Sequence, residues 1–130
     1  MVIDTSALIA IMQNESTAAR LVAAIAQASV RLISAGTVIE ASLVLLGRFG
    51  ERGELHLDIL LRSFGAEVVD IDKDQVAVAR DVARTFGRGR HRAALNFGNC
   101  FSYALAMSRG EPLLFVGDDF AHTDVKAVAW

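Results

Sequence analysis

Short apolar runs alternate with amphipathic segments along the whole of this chain. The apolar runs cover residues 2–3, 31–34, 67–71 and 113–116, and residues 126–130 would add a fifth strand at an edge. Short apolar strands separated by helices are typical of a parallel sheet that is covered on both faces. The pattern therefore predicts a three-layer α/β/α domain around a mostly parallel sheet of four to five short strands.

The helices are predicted from apolar residues at helical spacing and from residues that begin or end helices. We expect them over residues 7–12, 17–28, 37–49, 55–64, 73–86 and 98–108, with Thr5 or Ser6 capping the first. A basic, glycine-containing loop follows at 87–92. No repeat, linker or low-complexity tract interrupts this order, so we expect a single domain over residues 1–130.

Composition narrows the classes of protein to which the chain can belong. With 130 residues, 53% of them hydrophobic, the chain is long enough to bury a core. A net charge of -2 gives no overall attraction to nucleic acid, so a polyanion needs a local basic patch or a bound cation. The single cysteine, Cys100, fits a reducing compartment, as a small apolar residue in a helix. No targeting segment or membrane span stands out, and we expect a cytoplasmic protein.

Four positions with acidic or related side chains are predicted to meet at one edge of the sheet. Asp4 and Asp119 follow strands, and Glu40 and Asn99 lie in the first turns of helices. Functional groups of parallel α/β folds gather beyond the carboxyl ends of the strands. A carboxylate cluster at such an edge is a typical site for Mg²⁺ in phosphodiester chemistry.

Each of these positions also has a purely structural interpretation. Asp4 is a good helix N-cap, and Thr37 with Glu40 has the spacing of a capping box. The acids at 118–119 suit a turn, and Asn99 is an acceptable helix cap. The catalytic interpretation rests on their predicted convergence, since no single position requires it.

Three stretches and one helix start resemble a known family. They are residues 2–7 with Asp-Thr-Ser, residues 95–106 with Asn-Phe-Gly-Asn-Cys, residues 113–120 with Val-Gly-Asp-Asp-Phe, and the segment around Glu40. Together they resemble the PIN-domain ribonuclease toxins of type II toxin–antitoxin systems, the VapC family. The resemblance covers essentially the whole chain in order and spacing.

The resemblance implies roles for individual residues. Asp4, Glu40, position 99 and Asp119 match acids that bind one or two Mg²⁺ or Mn²⁺ ions and cleave RNA. Three hydroxyl residues match positions that orient the site; these are Thr5, Ser6 and Ser102. Water is the expected nucleophile, so the expected products carry a 5′-phosphate and a 3′-hydroxyl.

Asn99 departs from the family, because the resemblance implies Asp there. The carboxamide keeps one oxygen but loses the negative charge, and its NH₂ group repels a cation. Disturbing an outer-shell partner of a metal typically costs about 10–100-fold in affinity or activity, and the loss of a first-shell carboxylate should cost at least as much. It also relieves repulsion between like charges, about 4 kcal/mol at 4 Å and a dielectric of about 20. Two explanations fit the exchange of Asp for Asn: natural drift to a weak nuclease, or deliberate inactivation of a toxin so that it can be produced. Because the two side chains are nearly isosteric, we favour deliberate inactivation as a hypothesis.

The basic loop is a candidate RNA contact, with Arg88, Arg90 and Arg92 close together and His91 between them. Cations placed along an RNA backbone would give salt-dependent binding. The alternative is a solvated loop whose charges offset nearby carboxylates. The sequence leaves both interpretations open.

The resemblance also implies partners. A cognate VapB-like antitoxin would fold its C-terminal segment onto the helices that begin near Thr17, Thr37 and Leu55, and the toxin would form a homodimer. These helices carry more apolar residues than one buried face needs; the surplus is Leu43, Leu45, Leu46, Leu57, Ile59, Leu60 and Leu61. Two other functions remain open. One is a catalytically silent binding module, and the other is an unrelated small α/β domain.

Overall fold

The computed structural model describes all 130 residues. The strands are β1 (Val2–Ile3), β2 (Leu32–Ser34), β3 (Glu67–Val69) and β4 (Leu113–Leu114). The helices are α1 (Thr5–Met12), α2 (Ala18–Gln27), α3 (Ala35–Phe49), α4 (Glu51–Phe64), α5 (Lys73–Phe86) and α6 (Phe97–Arg109), followed by a 3₁₀ turn at Asp119–His122. No helix among them combines the length and the hydrophobicity that a membrane-spanning segment needs.

The four strands form one parallel sheet in the order β3-β2-β1-β4. The predicted edge strand at 126–130 is reduced to a single bridge between Leu113 and Ala127. There the Leu113 N–H donates to the Lys126 carbonyl and the Val128 N–H donates back to Leu113. The chain then leaves the ladder, and the Trp130 indole N–H donates to the Phe115 carbonyl at 3.2 Å.

Side chains of the strands alternate between two hydrophobic clusters, one on each face of the sheet. Ile3, Ile33 and Leu114 pack with residues of α1 to α4. Their neighbours Val2, Leu32 and Leu113 join residues of α5 and α6. Because successive side chains of a strand point to opposite faces, even two-residue strands contribute to both clusters. The predicted three-layer α/β/α architecture is thus confirmed.

Two helix starts differ from the sequence prediction. Asp4, rather than Thr5 or Ser6, is the N-cap of α1, and its Oδ2 accepts the Ser6 N–H at 2.9 Å. Helix α3 begins at Ala35 behind the N-cap Ser34, which makes the predicted capping box of Thr37 and Glu40 wrong. Both strands end directly at a capping residue, so no loop intervenes. Glu40 consequently lies in the second turn of α3.

Helices α3 and α4 are separated by one residue, Gly50, with φ 63° and ψ -160°. Only glycine adopts this backbone conformation readily. Helix α4 therefore starts at Glu51, four residues before the apolar run on which the prediction of 55 depended. Glu51 and Glu54 in its first turn are favourable at the positive end of the helix dipole.

Helices α3 and α6 approach each other closely where they meet above the carboxyl edge of the sheet. A Cβ added to Gly36 would lie 2.5 Å from the Phe101 ring, which shows how little space separates the helices. At the next residue of each helix, the hydroxyls of Thr37 and Ser102 share a buried hydrogen bond of 3.0 Å. This crossing fixes the position of α3 relative to α6.

The crossing generates a stability prediction. Gly36→Ala forces the Phe101 ring or the helix to move, and overpacking of this kind costs about 1–3 kcal/mol. Gly47→Ala is the matched control, because a Cβ there meets nothing within 4 Å and the same helix gains up to about 1 kcal/mol in propensity. Urea unfolding should lower the midpoint of Gly36→Ala and raise that of Gly47→Ala. Equal midpoints for the two variants would contradict the close crossing.

Candidate active site

A cleft of about 330 Å³ opens at the carboxyl ends of β1 and β4. The sheet order reverses direction between these two strands, and such a switch point is where parallel α/β folds bind ligands. All four predicted positions, Asp4, Glu40, Asn99 and Asp119, line this cleft. The structure therefore brings together side chains that are up to 115 positions apart in the sequence.

Asp4 is buried, with 2% of its surface exposed, and its two carboxylate oxygens differ. Oδ2 accepts hydrogen bonds from the N–H of Ser6 at 2.9 Å and from its hydroxyl at 2.6 Å. The same hydroxyl oxygen accepts the Val116 N–H at 3.0 Å, which ties α1 to the end of β4. Oδ1 is buried without any partner. A buried charged oxygen left unpaired costs more than about 1–3 kcal/mol, so Oδ1 calls for a cation or a water molecule.

Glu40 reaches the cleft from the second turn of α3. The Thr5 hydroxyl donates to its Oε2 at 2.5 Å. A Cβ added to Gly98 would lie 1.8 Å from Oε1, so only a glycine leaves room for this carboxylate against α6. Burial raises the pKa of Glu40 above its ordinary value of 4.5; the Thr5 hydrogen bond opposes this shift, and the nearby Asp4 charge adds to it. The site is therefore one that positive charge would stabilise.

Asn99 is the third residue of α6, and its carboxamide is part of a capping box with Asn96. The Asn96 N–H donates to Asn99 Oδ1 at 2.8 Å, and the Asn99 N–H donates to Asn96 Oδ1 at 2.9 Å. A backbone N–H requires an acceptor, so the orientation of the carboxamide is determined. Its Nδ2 makes no hydrogen bond within the chain, and it is not a buried atom that lacks a partner. Because Asn99 lines the cleft, Nδ2 faces the cleft.

The donor set can be compared with the needs of a divalent cation. Asp119 is exposed at the start of the 3₁₀ turn, and no three His, Cys, Asp or Glu side chains close into a metal-holding group. The unpartnered Oδ1 of Asp4 and the crowded carboxyl of Glu40 nevertheless fit a hard cation, with Asp119 on the same wall. Asn99 as oriented does not fit, because its only side-chain oxygen is engaged by the backbone.

The cleft also contains residues that the sequence analysis did not identify. These residues include Glu15, Arg48 and Asn96. Arg48 lies two turns after Glu40 on the same face of α3, and this spacing could have indicated it. Ser102 is fully buried and bonds to Thr37, so its contact is with the helix crossing.

The predicted RNA-binding loop lies outside the cleft. Arg88, Arg90 and Arg92 are exposed and take part in no ion pair. His91 packs edge-on against Phe86 with ring centroids 5.1 Å apart, and its Nδ1 accepts the Ala93 N–H. The histidine thus holds the loop in shape, while the three arginines remain available to an external anion.

The raised pKa of Glu40 generates a prediction about stability and pH. Since the folded chain keeps this proton to higher pH than the unfolded chain, stability is lost as pH rises through the unfolded value of 4.5 toward the folded value. Glu40→Gln removes the charge but keeps an acceptor for Thr5. In the presence of a chelator at pH 7, this variant should therefore unfold at a higher urea concentration than the parent. The gain in stability should vanish below about pH 4.

The control for this pH series is Glu67→Gln, which removes one charge from an exposed position of β3. It should follow the parent closely over the same range. If the difference in urea midpoint between Glu40→Gln and the parent stays constant from pH 4 to pH 7, the charge of Glu40 does not destabilise the fold.

Comparisons with known proteins agree with this architecture. A family model described as the PIN domain matches residues 1–126. Ribonuclease VapC30 of Mycobacterium tuberculosis is 49% identical over 129 residues, which cover 99% of this chain and 98% of that protein. Two solved structures share the fold at lower identity. VapC20 of M. tuberculosis, a sarcin–ricin loop cleaving toxin, has a TM-score of 0.79 at 19% identity and covers 98% of this chain and 97% of its own.

The second structure is a toxin–antitoxin complex from Klebsiella pneumoniae, with a TM-score of 0.74 at 18% identity, covering 98% of this chain and 95% of its own. The match to the PIN model and the identity to VapC30 exclude an unrelated α/β domain. They extend over nearly the whole chain, including every residue of the cleft. The chain belongs to the PIN-domain family of VapC ribonucleases.

Proposed function

We propose that this chain is the toxin of a type II toxin–antitoxin pair, a metal-dependent endoribonuclease that acts on RNA in the cytoplasm and is impaired by Asn99. The observation that carries the proposal is the convergence of Asp4, Glu40, Asn99 and Asp119 in one cleft of a VapC-family chain. Family membership supports RNA cleavage, and the cleft supplies the acidic groups that this chemistry needs.

The proposed cofactor is one or two ions of Mg²⁺ or Mn²⁺. Asp4, Glu40 and Asp119 would hold it, and position 99 would join them as a full ligand only when it is a carboxylate. When bound, such an ion makes a water molecule nucleophilic at neutral pH and stabilises charge on the leaving oxygen. The unpaired Oδ1 of Asp4 supports this assignment.

The chain's own residues would orient the reaction. Thr5 fixes the carboxylate of Glu40, and Ser6 holds Asp4 against the end of β4. The acid that reaches the ion through water, Glu40 or Asp119, is proposed to position the attacking water or to take its proton. Arg48, which lines the cleft, would contact RNA phosphates together with Arg88, Arg90 and Arg92.

A catalytically silent binding module is the second candidate, and the orientation of Asn99 favours it. The carboxamide directs its nitrogen toward the cleft and its oxygen to the Asn96 backbone. A nitrogen that bears two hydrogens donates and cannot coordinate a cation. Such a chain would hold RNA or antitoxin without cutting.

The first experiment separates the two candidates. Asn99→Asp keeps the acceptor for the Asn96 N–H and places a second, charged oxygen where Nδ2 lies now. We expect cleavage of a mixed structured-RNA pool with Mg²⁺ or Mn²⁺ to rise by at least about 10–100-fold over the parent, and chelator to abolish it. Calorimetry with Mn²⁺ on both proteins should show that Asn99→Asp binds the ion more tightly than the parent does.

The control is Asn99→Ser, which removes the carboxamide without adding a carboxylate and should cut no better than the parent. If Asn99→Asp also leaves every RNA intact while it folds normally, the nuclease proposal fails for this chain and the silent binding module takes its place.

An antitoxin is the proposed protein partner, and the same surface is a candidate for the homodimer contact. Three of the seven surplus apolar residues belong to the core, because Leu45, Leu57 and Leu61 are buried. The exposed stripe of α3 and α4 consists of Ile39, Leu43, Leu46, Phe49, Leu55 and Ile59. An exposed apolar stripe of this length is typical of a protein interface, and the fold shared with a toxin–antitoxin complex supports the assignment.

The stripe can be tested with the antitoxin encoded beside the toxin gene. Leu43, with 64% of its surface exposed, should tolerate Leu43→Glu in the free chain but lose binding to the antitoxin by about 10-fold or more, because the charge would be buried in the complex. Met107→Glu on α6 is the control at a 43% exposed apolar position outside the stripe. Titration by calorimetry gives both affinities, and equal losses would place the contact elsewhere.

A further inference from the structure

Phe97 is the most exposed large apolar side chain of the protein, with 81% of its surface accessible. It is the first residue of α6, two positions before Asn99 in the cleft. Its ring meets that of Phe101 edge to face, with centroids 4.8 Å apart. The fold therefore holds a flat aromatic surface in solvent beside the candidate active site, although Phe97 contributes little to either hydrophobic cluster.

Beside Phe97 lies a groove between α5 and α6 with a volume of about 710 Å³. Its floor is apolar, with Val76, Ala79, Leu95 and Ala104 among its lining residues. Asn96 lines both this groove and the acidic cleft, so the two are neighbours that share one wall. A polymeric ligand bound in the cleft can thus extend into the groove.

The charged residues of the groove are all cationic. Arg80 and Arg88 line it, and neither forms an ion pair. No carboxylate is present among the lining residues. In a chain with a net charge of -2, these two guanidinium groups are a local exception. They complement an anion, and a phosphate is the anion that guanidinium groups match best in geometry.

We propose that this groove is a nucleotide subsite: one base of a single-stranded RNA stacks on Phe97, and Arg88 contacts its phosphate, while the adjacent phosphodiester lies in the acidic cleft. The subsite rests on the proposed RNA-cleaving function. An exposed aromatic ring next to cations is the arrangement by which proteins bind single strands, because every base offers a face for stacking. Arg80, the other arginine of the lining, would contact a neighbouring phosphate.

A second copy of the chain is a less suitable occupant. In a symmetric dimer through this groove, Arg80 and Arg88 of both copies would be buried, and the lining of neither copy offers a carboxylate to pair with them. Burial of unpaired like charges is unfavourable. The apolar floor and the cationic lining together therefore suit a base with its phosphates better than a protein surface.

The test measures RNA binding without cleavage. A fluorescein-labelled, unstructured RNA of about 12 nucleotides is titrated with the whole chain in chelator, and anisotropy is recorded. Phe97→Ala should bind about 5- to 100-fold more weakly, and Phe97→Trp should bind as well as the parent or better. Met107→Ala on α6 is the control, because Met107 is an exposed apolar residue outside the groove, the cleft and the stripe of α3 and α4.

The salt dependence of RNA binding tests whether Arg88 contacts a phosphate. Arg88→Gln should reduce the slope of log affinity against log salt by about 0.7, the value for one phosphate contact on a single strand. Arg52→Gln, an exposed arginine of α4 that lines neither cavity, should leave the slope unchanged. A slope that Arg88→Gln does not change would remove Arg88 from the subsite.

A scan with single abasic nucleotides identifies the stacked base. In the parent, one abasic position should weaken binding, and the same position should have no effect in Phe97→Ala, since both changes remove one interaction. Unchanged RNA affinity of Phe97→Ala overturns the subsite. If that variant also becomes monomeric by sedimentation, the groove belongs to a second copy instead.

The subsite and the nuclease proposal can fail separately. If Asn99→Asp cuts the same RNA and Phe97→Ala binds it normally, only the subsite is wrong. If no RNA binds to the parent and Asn99→Asp cuts none, both proposals are wrong.

Discussion

The close crossing of α3 and α6 is the constraint on which the site depends. Glycines at positions 36 and 98 leave room between the two helices for the Phe101 ring and the Glu40 carboxylate, and the Thr37–Ser102 hydrogen bond joins the helices in the interior. Glu40 comes from one helix and Asn99 from the other. A wider crossing would separate them, and only Asp4 and Asp119, which follow strands of the sheet, would keep their places. Helix packing, more than strand pairing, therefore builds the cleft above strands of two and three residues.

Residue 99 carries two tasks that use different atoms. One oxygen satisfies the Asn96 N–H at the start of α6, and the other atom of the side chain lies toward the cleft. A carboxylate could perform both tasks, because it has two acceptors and suits a helix N-terminus. A carboxamide performs the first and presents a donor for the second. The exchange of Asp for Asn can therefore preserve the helix while it changes the charge and polarity of the site.

The sequence predicted the architecture and the membership of the cleft well, because both depend on strand order and on short local patterns. The apolar runs and helical periods around 2–3, 31–34, 73–86 and 98–108 identified most elements, and the family resemblance identified the four positions. The capping box at Thr37 failed because Ser34, at the end of β2, begins α3 one turn earlier. The carboxamide orientation, the groove beside Phe97 and the burial of Leu45, Leu57 and Leu61 depend on three-dimensional contacts that no local pattern specifies.

Asn96 belongs to three features at once: it caps α6, it holds the side chain of Asn99, and it forms the wall between groove and cleft. Any molecule that shifts Asn96 from the groove side must change the hydrogen bonds of Asn99 on the cleft side. Thermodynamic linkage makes this effect reciprocal. A ligand that moves Asn96 would therefore couple the occupancy of the two cavities through a single residue, and the affinity of each cavity for its ligand would depend on whether the other is filled.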